Sequence, residues 1–259
     1  MDRAKFFEVM RAEFGALSQS QVDGTEFLLD HGEERGTSLK QLAYILSTSW
    51  HETAATMQPI AEYGKGEGHD YGEPLPEYDN QCAYGRGYVQ LTWAENYEKA
   101  DKECALDGSL LDNFELALDG PIAAKIIFEG MSAGWFTGKK LDDYINPSLT
   151  DYYNARRIVN GTDKADLLRG YAETYQEALE AARYGEAEPV DPDEITTPPD
   201  VAEHPPVEPP PHTWPERTRT YEYVIGPYNA DVAEMNALGI KGWRLAHVVD
   251  NTMIWERVR

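Results

Sequence analysis

Two glutamates ten positions apart could do chemistry together. Glu52 lies in Trp50-His51-Glu52-Thr53, and Glu62 in Glu62-Tyr63-Gly64. Such a pair can divide the work at a glycosidic bond: one carboxyl protonates the departing oxygen while the other deprotonates a water. Inverting enzymes hold the two roughly 6.5–9.5 Å apart, which leaves room for that water. A third group follows in Tyr88-Val89-Gln90-Leu91-Thr92-Trp93. Its alternation predicts a strand with Val89, Leu91 and Trp93 on a core face and Tyr88, Gln90 and Thr92 on a hydrogen-bonding face. A Thr92 hydroxyl there could hold a water, and a Gln90 amide could hold a sugar hydroxyl or acetamido group. Residue types alone do not separate this constellation from two solvated carboxylates, because the chain carries 46 Asp and Glu.

The elements that must position these groups are legible as patterns. Leu39, Leu42, Ala43, Leu46 and Trp50 recur at helical spacing, which predicts an amphipathic helix over 38–54. Glu52 falls near its end, off the centre of the stripe and beside Ile45 and Ser49. Apolar walls there would favour the protonated carboxyl that a general acid needs. Continued as a helix, residues 52 and 62 would lie about 15 Å apart along the axis. Pro59 disfavours that continuation, so a loop can bring Glu62 back. Residues 64–80, rich in Gly, Pro, Asp, Glu and Tyr, read as that loop. Glu67, Glu73 and Glu77 are rival bases on it, and Tyr63, Tyr71 and Tyr78 could stack on sugar rings. His51-Glu52 invites comparison with zinc peptidases, but the second metal-binding His would fall at position 55, which is Ala. His51 is then either a neighbour that orients the site or a structural histidine.

Four of these stretches occur in the order seen in glycoside hydrolase family 19. They are His51-Glu52-Thr53, Glu62-Tyr63-Gly64, Tyr84-Gly85-Arg86-Gly87-Tyr88-Val89-Gln90-Leu91-Thr92 and Arg157-Ile158-Val159-Asn160-Gly161. The chain resembles that family over residues 1 to about 185. Phe6-Phe7, Gln21-Val22-Asp23-Gly24, Met57-Gln58-Pro59-Ile60, the run from Gly134 to Leu141 and Asn154-Ala155-Arg156-Arg157 resemble its short bacteriophage endolysin branch. The resemblance implies a lysozyme-like α+β fold, Glu52 as acid and Glu62 as base. It also implies Thr92 beside the attacking water, sugar contacts at Gln90, Asn96 and Asn160, and His51 beside substrate. The implied substrate is the β-1,4 glycan of peptidoglycan, with chitin as the alternative and a non-catalytic glycan-binding protein as a further one. No metal or cofactor is needed for this chemistry. From residues alone, Asn160-Gly161 reads as a turn or helix cap rather than a sugar contact.

Composition narrows the remaining possibilities. The formal net charge of -23 makes nucleic acid an improbable partner, because binding it relies on basic residues neutralising phosphates. The same charge repels an anionic cell envelope, so salt should help the encounter; the alternative is that acidity serves solubility alone. No apolar run reaches about 18 residues, so membrane insertion is not expected. The start lacks the long apolar segment of a secretory signal. Under the phage resemblance the chain would stay in the cytoplasm of an infected bacterium until a separate holin releases it to the wall. Cys82 and Cys104 do not make a disulfide framework and read as two thiols.

Further helices are expected at the N-terminus around Phe6, Phe7, Met10 and Phe14, and over 19–31. Others are expected after Pro121, over 151–159 and over 164–183, making the first domain (1–185) mainly α with a small strand element. Residues 186–213 read as a linker. Ten of the sixteen prolines lie between Pro189 and Pro215, and the acidic residues of the segment face no Lys or Arg, so it should be stiff and extended. Residues 214–259 read as a small β-α-β-β module: a strand at Tyr221, Tyr223 and Ile225, a helix over 231–238, and a hairpin about Asp250-Asn251. Target binding and oligomerisation are both open to it.

Overall fold

The longest stretch of unbroken burial runs along one helix. In the computed structural model every residue from Leu42 to Trp50 is buried. The structure describes residues 1–186, together with the backbone of three strands at 221–227, 244–249 and 252–258. The chain divides into two units, Met1–Val190 and Asp191–Arg259.

The first unit is mainly helical with short strands. Its helices are α1 (Arg3–Phe14), α2 (Gln19–Glu34), α3 (Leu39–Glu52), α4 (Ala94–Glu103), α5 (Ser109–Asp112), α6 (Gly120–Ala133), α7 (Tyr152–Ala155) and α8 (Ala165–Ala181). The caps explain where several begin. Asp2 accepts from the Lys5 N–H, Ser18 and Gln21 form a reciprocal capping box, and Asp119 accepts from the Ile122 N–H with Pro121 in the first turn. No helix among the described residues is long and apolar enough to cross a membrane.

Helix α3 was expected to bury one stripe. It is instead enclosed on all sides, packing chiefly against α8, which also receives α1 and α7. Two of its polar residues are satisfied locally, since the Ser47 and Thr48 hydroxyls donate to the Tyr44 carbonyl (2.8 and 2.9 Å), whereas the buried Tyr44 and Ser49 hydroxyls have no partner among the described residues. Trp50 packs on Phe14 with ring centroids 4.7 Å apart.

Two small hairpins complete the unit. Strand β1 (Ile60–Ala61) pairs antiparallel with β2 (Arg86–Gly87), and β3 (Ile145–Asn146) with β4 (Leu149–Thr150). The strand expected over Tyr88–Trp93 does not form. Residues 88–90 are a tight turn, closed by Leu91 N–H to the Arg86 carbonyl (2.8 Å) and Arg86 N–H to the Leu91 carbonyl (3.1 Å). Gly87 has φ +84°, and a Cβ there would lie 2.8 Å from the Ala117 carbonyl oxygen, so glycine permits both the turn and the close packing. The two-faced alternation fails accordingly. Tyr88, Val89 and Leu91 are all buried, whereas Trp93 is 46% exposed.

In the second unit, β5 (Tyr221–Pro227), β6 (Arg244–Val249) and β7 (Thr252–Val258) form one antiparallel sheet in the order β5-β7-β6. Val249 of β6 pairs with Thr252 of β7. The expected linker at 186–213, apart from residue 186, and the expected helix at 231–238 lie outside the described residues.

Candidate active site

Glu52 is the last residue of α3. A carboxylate at a helix C-terminus meets the negative end of the helix dipole. Here that cost is offset by Arg156, from the 3-10 turn that follows α7. Its Nη1 donates to Glu52 Oε1 at 2.6 Å, and the two side chains are 3% and 17% exposed. Arg156 Nε donates to the Asp163 carbonyl (3.2 Å). The helical pattern had put apolar walls beside this carboxyl. Ile45 and Ser49 are indeed buried, but the group that Glu52 meets is a guanidinium.

Glu62 follows β1. Its backbone N–H donates to the Gly85 carbonyl (2.8 Å), which ties it across to the β2 side of the hairpin. Its side chain accepts from the Tyr71 hydroxyl (3.2 Å) and the Gly85 N–H (3.2 Å). The Tyr71 phenol is pushed up by burial and by the neighbouring Glu62 charge, so it keeps the proton it donates. Its ring stacks on His69 (4.9 Å) and meets Trp93 edge-on (5.2 Å).

One cavity of about 360 Å³ collects most of the expected residues. Glu52, Gln90, Thr92, Asn96 and Asn160 line it, with Tyr71, Trp93 and Phe136. Glu62 does not line this cavity; it is bonded to Tyr71, which does. The hydrogen bonds already made decide what each polar group can still offer. Thr92 donates to the Gln90 carbonyl (2.7 Å), so toward a water it can only accept. Gln90 Nε2 is committed to the Ile60 and Gly87 carbonyls (3.0 and 3.2 Å), leaving Oε1 as an acceptor. Asn96 Nδ2 donates to the Thr92 carbonyl (2.7 Å), which leaves its Oδ1 and one N–H. Asn160 Oδ1 accepts from the Gly161 N–H (2.8 Å), which leaves its amide N–H groups as donors. Acceptors at Thr92, Gln90 and Asn96 beside amide donors at Asn96 and Asn160 suit a ligand rich in hydroxyl and amide groups.

His51 does not line the cavity. It is half-buried, and its imidazole is held below the usual histidine range, first by burial and then by the balance of Glu52, Arg156, Asp163 and Lys164 around it. The rival bases Glu67, Glu73 and Glu77 are exposed and line no part of the cavity. Tyr63 is 83% exposed, and Tyr78 is tied to Glu98. Cys82 and Cys104 are unpaired, and burial pushes the Cys104 thiol up to about 11.

Tyr71, expected as a sugar-stacking candidate, lines the cavity; Arg156, Trp93 and Phe136 were not anticipated at the site. The alternation over 88–93 puts Trp93 on a core face, and Arg156 is one of two adjacent arginines with nothing in the sequence to distinguish them. Arg86, inside the Gly85-Arg86-Gly87 turn, has a structural task. It donates to Glu115 Oε1 (2.7 and 2.9 Å), to the Cys82 and Tyr84 carbonyls and to the Tyr97 hydroxyl. A larger cavity of about 700 Å³ opens at the start of α3, between Arg35, Lys40, Gln41, Asp142, Asn146 and Glu180, away from this carboxylate pair.

No protein-family model and no curated protein matches the sequence. Among solved structures the chain is similar to chitinase C from Streptomyces griseus HUT6037, at 20% identity and a TM-score of 0.43, covering 70% of this chain and 76% of that one. It is also similar to a chitinase C mutant, at 19% identity and a TM-score of 0.41, covering 71% and 92%.

Proposed function

We propose that this chain is a glycoside hydrolase of the endolysin type, opening the β-1,4 glycan of peptidoglycan with inversion. The observation that carries the reading is a pair of carboxyls in unlike settings. Glu52 is held by a buried cation on the cavity wall. Glu62 stands behind Tyr71 with two neutral donors. In this scheme Glu52 protonates the departing oxygen, Glu62 deprotonates a water, and Thr92 accepts one of that water's hydrogens. Gln90, Asn96 and Asn160 bind sugar, and His51 supports Glu52 from outside the cavity. The ordered motifs resembling the short phage branch support peptidoglycan as the polymer; under that resemblance a holin would release the enzyme to the wall.

The test is a digest of purified peptidoglycan and, in parallel, of chitin oligomers, with products read by mass spectrometry after borohydride reduction. Wild type and Glu52→Gln run side by side at low and high salt. Reduced muramic acid ends that fall at least about 100-fold with the variant support the proposal. Reduced glucosamine ends from peptidoglycan would move the bond to the other linkage. Cleavage of chitin alone would replace the substrate, and no cleavage of either polymer would overturn the hydrolase reading.

A further inference from the structure

A further cavity, of about 380 Å³, shares no lining residue with the carboxylate cleft. Two stretches that line no part of that cleft meet here: Asp23 and Gly24 of α2, and Gln58 and Pro59 of the segment that leads into β1. Gly24 lets them touch. A Cβ there would stand 1.8 Å from the Met57 carbonyl oxygen, so only glycine admits this approach. Gln58 Nε2 then donates to the Ser20 carbonyl (2.7 Å), which fastens the segment to α2 and leaves Oε1 as an acceptor. Asp23 Oδ1 accepts from Gln19 Nε2 (2.7 Å), which leaves Oδ2. Phe27 and Tyr88 also line the cavity. Tyr88 is 2% exposed, yet its hydroxyl makes no hydrogen bond among the described residues. The polar atoms sealed there without a partner belong to His31, Tyr44 and Ser49. The Tyr88 oxygen is therefore not sealed, and the cavity that it lines is its opening. Burial pushes the phenol up to about 12, so it keeps its proton at neutral pH and can donate. Buried hydroxyls are nearly always paired, and one left free at a cavity wall is a group that a ligand can use.

The lining selects the class of ligand. Asp23 is its one charged residue, and no lysine or arginine lines it, which disfavours an anion. Asp23 and Gln58 offer acceptors and Tyr88 a donor, while Phe27 and Pro59 are apolar. A few placed polar groups in an apolar wall are how small-molecule sites are built. A sugar ring matches that division, with hydroxyls at its edge and C–H groups on its faces. We propose that this cavity is a second sugar-binding site, which takes one unit of a glycan: Asp23 and Gln58 accept from its hydroxyls, Tyr88 donates to one, and Phe27 and Pro59 meet its C–H face. The turn over 88–90 separates this cavity from the cleft, with Tyr88 lining the one and Val89 and Gln90 the other. Gln90 Nε2 also donates to the carbonyl of Ile60, the residue after Pro59. A polymer held here is held beside the cleft, which raises the local concentration of its bonds there. That benefit rests on the proposed glycoside hydrolase; the sugar site itself does not.

The experiment is ¹H–¹⁵N NMR on the full chain, titrated with di-N-acetylchitobiose as the sugar probe and, separately, with Nα-acetyl-lysine amide as a cationic one. The Gly24 amide and the Gln58 side-chain amide report on this cavity, and the Asn160 side-chain amide reports on the cleft. The expected result is saturable movement of Gly24 and Gln58 with the sugar. Tyr88→Phe keeps the ring and removes only an unpaired hydroxyl, and should weaken that binding about fivefold. Asp23→Ala lies on an exposed face of α2, where alanine suits the helix, and should weaken it about tenfold or more. Neither variant should alter the Asn160 response. No movement at Gly24 and Gln58 would overturn the proposal. So would movement that both variants leave unchanged, or tighter binding of the lysine probe than of the sugar. Glycan cleavage is assayed separately. A chain that cleaves nothing, yet binds the sugar here in a way that depends on Tyr88 and Asp23, loses the hydrolase reading and keeps this one.

Discussion

Breaking the Glu52–Arg156 pair from its two ends should give unequal costs. Glu52→Gln leaves Arg156, 3% exposed, without a counter-charge. Removing one partner of a buried pair costs about 3–5 kcal/mol. The lower end applies here, because Arg156 keeps the Asp163 carbonyl and the new amide oxygen can still accept. Arg156→Met instead leaves a carboxylate that is 17% exposed. Water can reach it, so the cost falls to about 1–2 kcal/mol. The double variant removes both charges, and its cost should fall short of the sum by about 2 kcal/mol. Denaturant unfolding of the four proteins measures all three terms. The reasoning fails if Glu52→Gln is no less stable than Arg156→Met, or if the two costs simply add. The result also governs the activity test. A loss of about 3 kcal/mol, set against a typical total of 5–15, leaves Glu52→Gln folded, so its lost turnover would report chemistry.

Three further outcomes are expected. Tyr71→Phe removes the hydroxyl that donates to Glu62; a drop in kcat of about tenfold with little change in stability would fit that contact, and unchanged kcat would remove Tyr71 from the mechanism. Gly87→Ala must adopt φ near +84° with its Cβ against the Ala117 carbonyl, which should destabilise the chain by about 2 kcal/mol or more in the same unfolding assay. His51 and His31 are both held below the usual histidine value, burial being the first cause in each. Each is then neutral in the folded chain where the unfolded chain binds a proton, so the stability they contribute is present above about pH 6.5 and is lost as pH falls through their folded values. A His31→Gln/His51→Gln variant should flatten that part of the stability–pH curve, and an unchanged slope would contradict the assignment.

How far the site could be read from residues varies from one element to the next. Helix α4 passed unnoticed because its surface is dominated by Glu95, Glu98, Lys99, Lys102 and Glu103, with only Tyr97, Ala100 and Asp101 buried. Asp101 is inside because its carboxylate accepts from the Gly108 and Leu110 N–H groups (2.8 and 3.0 Å), a task set by the chain that follows. The alternation over Tyr88–Trp93 suggested a strand. Gly87 and the left-handed Gln90 (φ 53°) turn the chain too soon for one to form. Trp93, placed on a core face by that pattern, ends on the cavity wall.

What the sequence determined by itself is local. Apolar spacing, Ser18, Asp119 and Pro121 mark where helices run and begin, and Asp250-Asn251 marks a hairpin, because caps and turns depend on residues within a few positions. Glu52 could be located at the end of its helix for the same reason. Only the tertiary structure decided which cation it meets. Arg156 and Arg157 are adjacent and chemically identical. One is buried against Glu52, 104 positions away, and the other is exposed. That choice follows from how α7 and the turn after it pack against α3 and α8, and burial at such separation is a property of the assembled core.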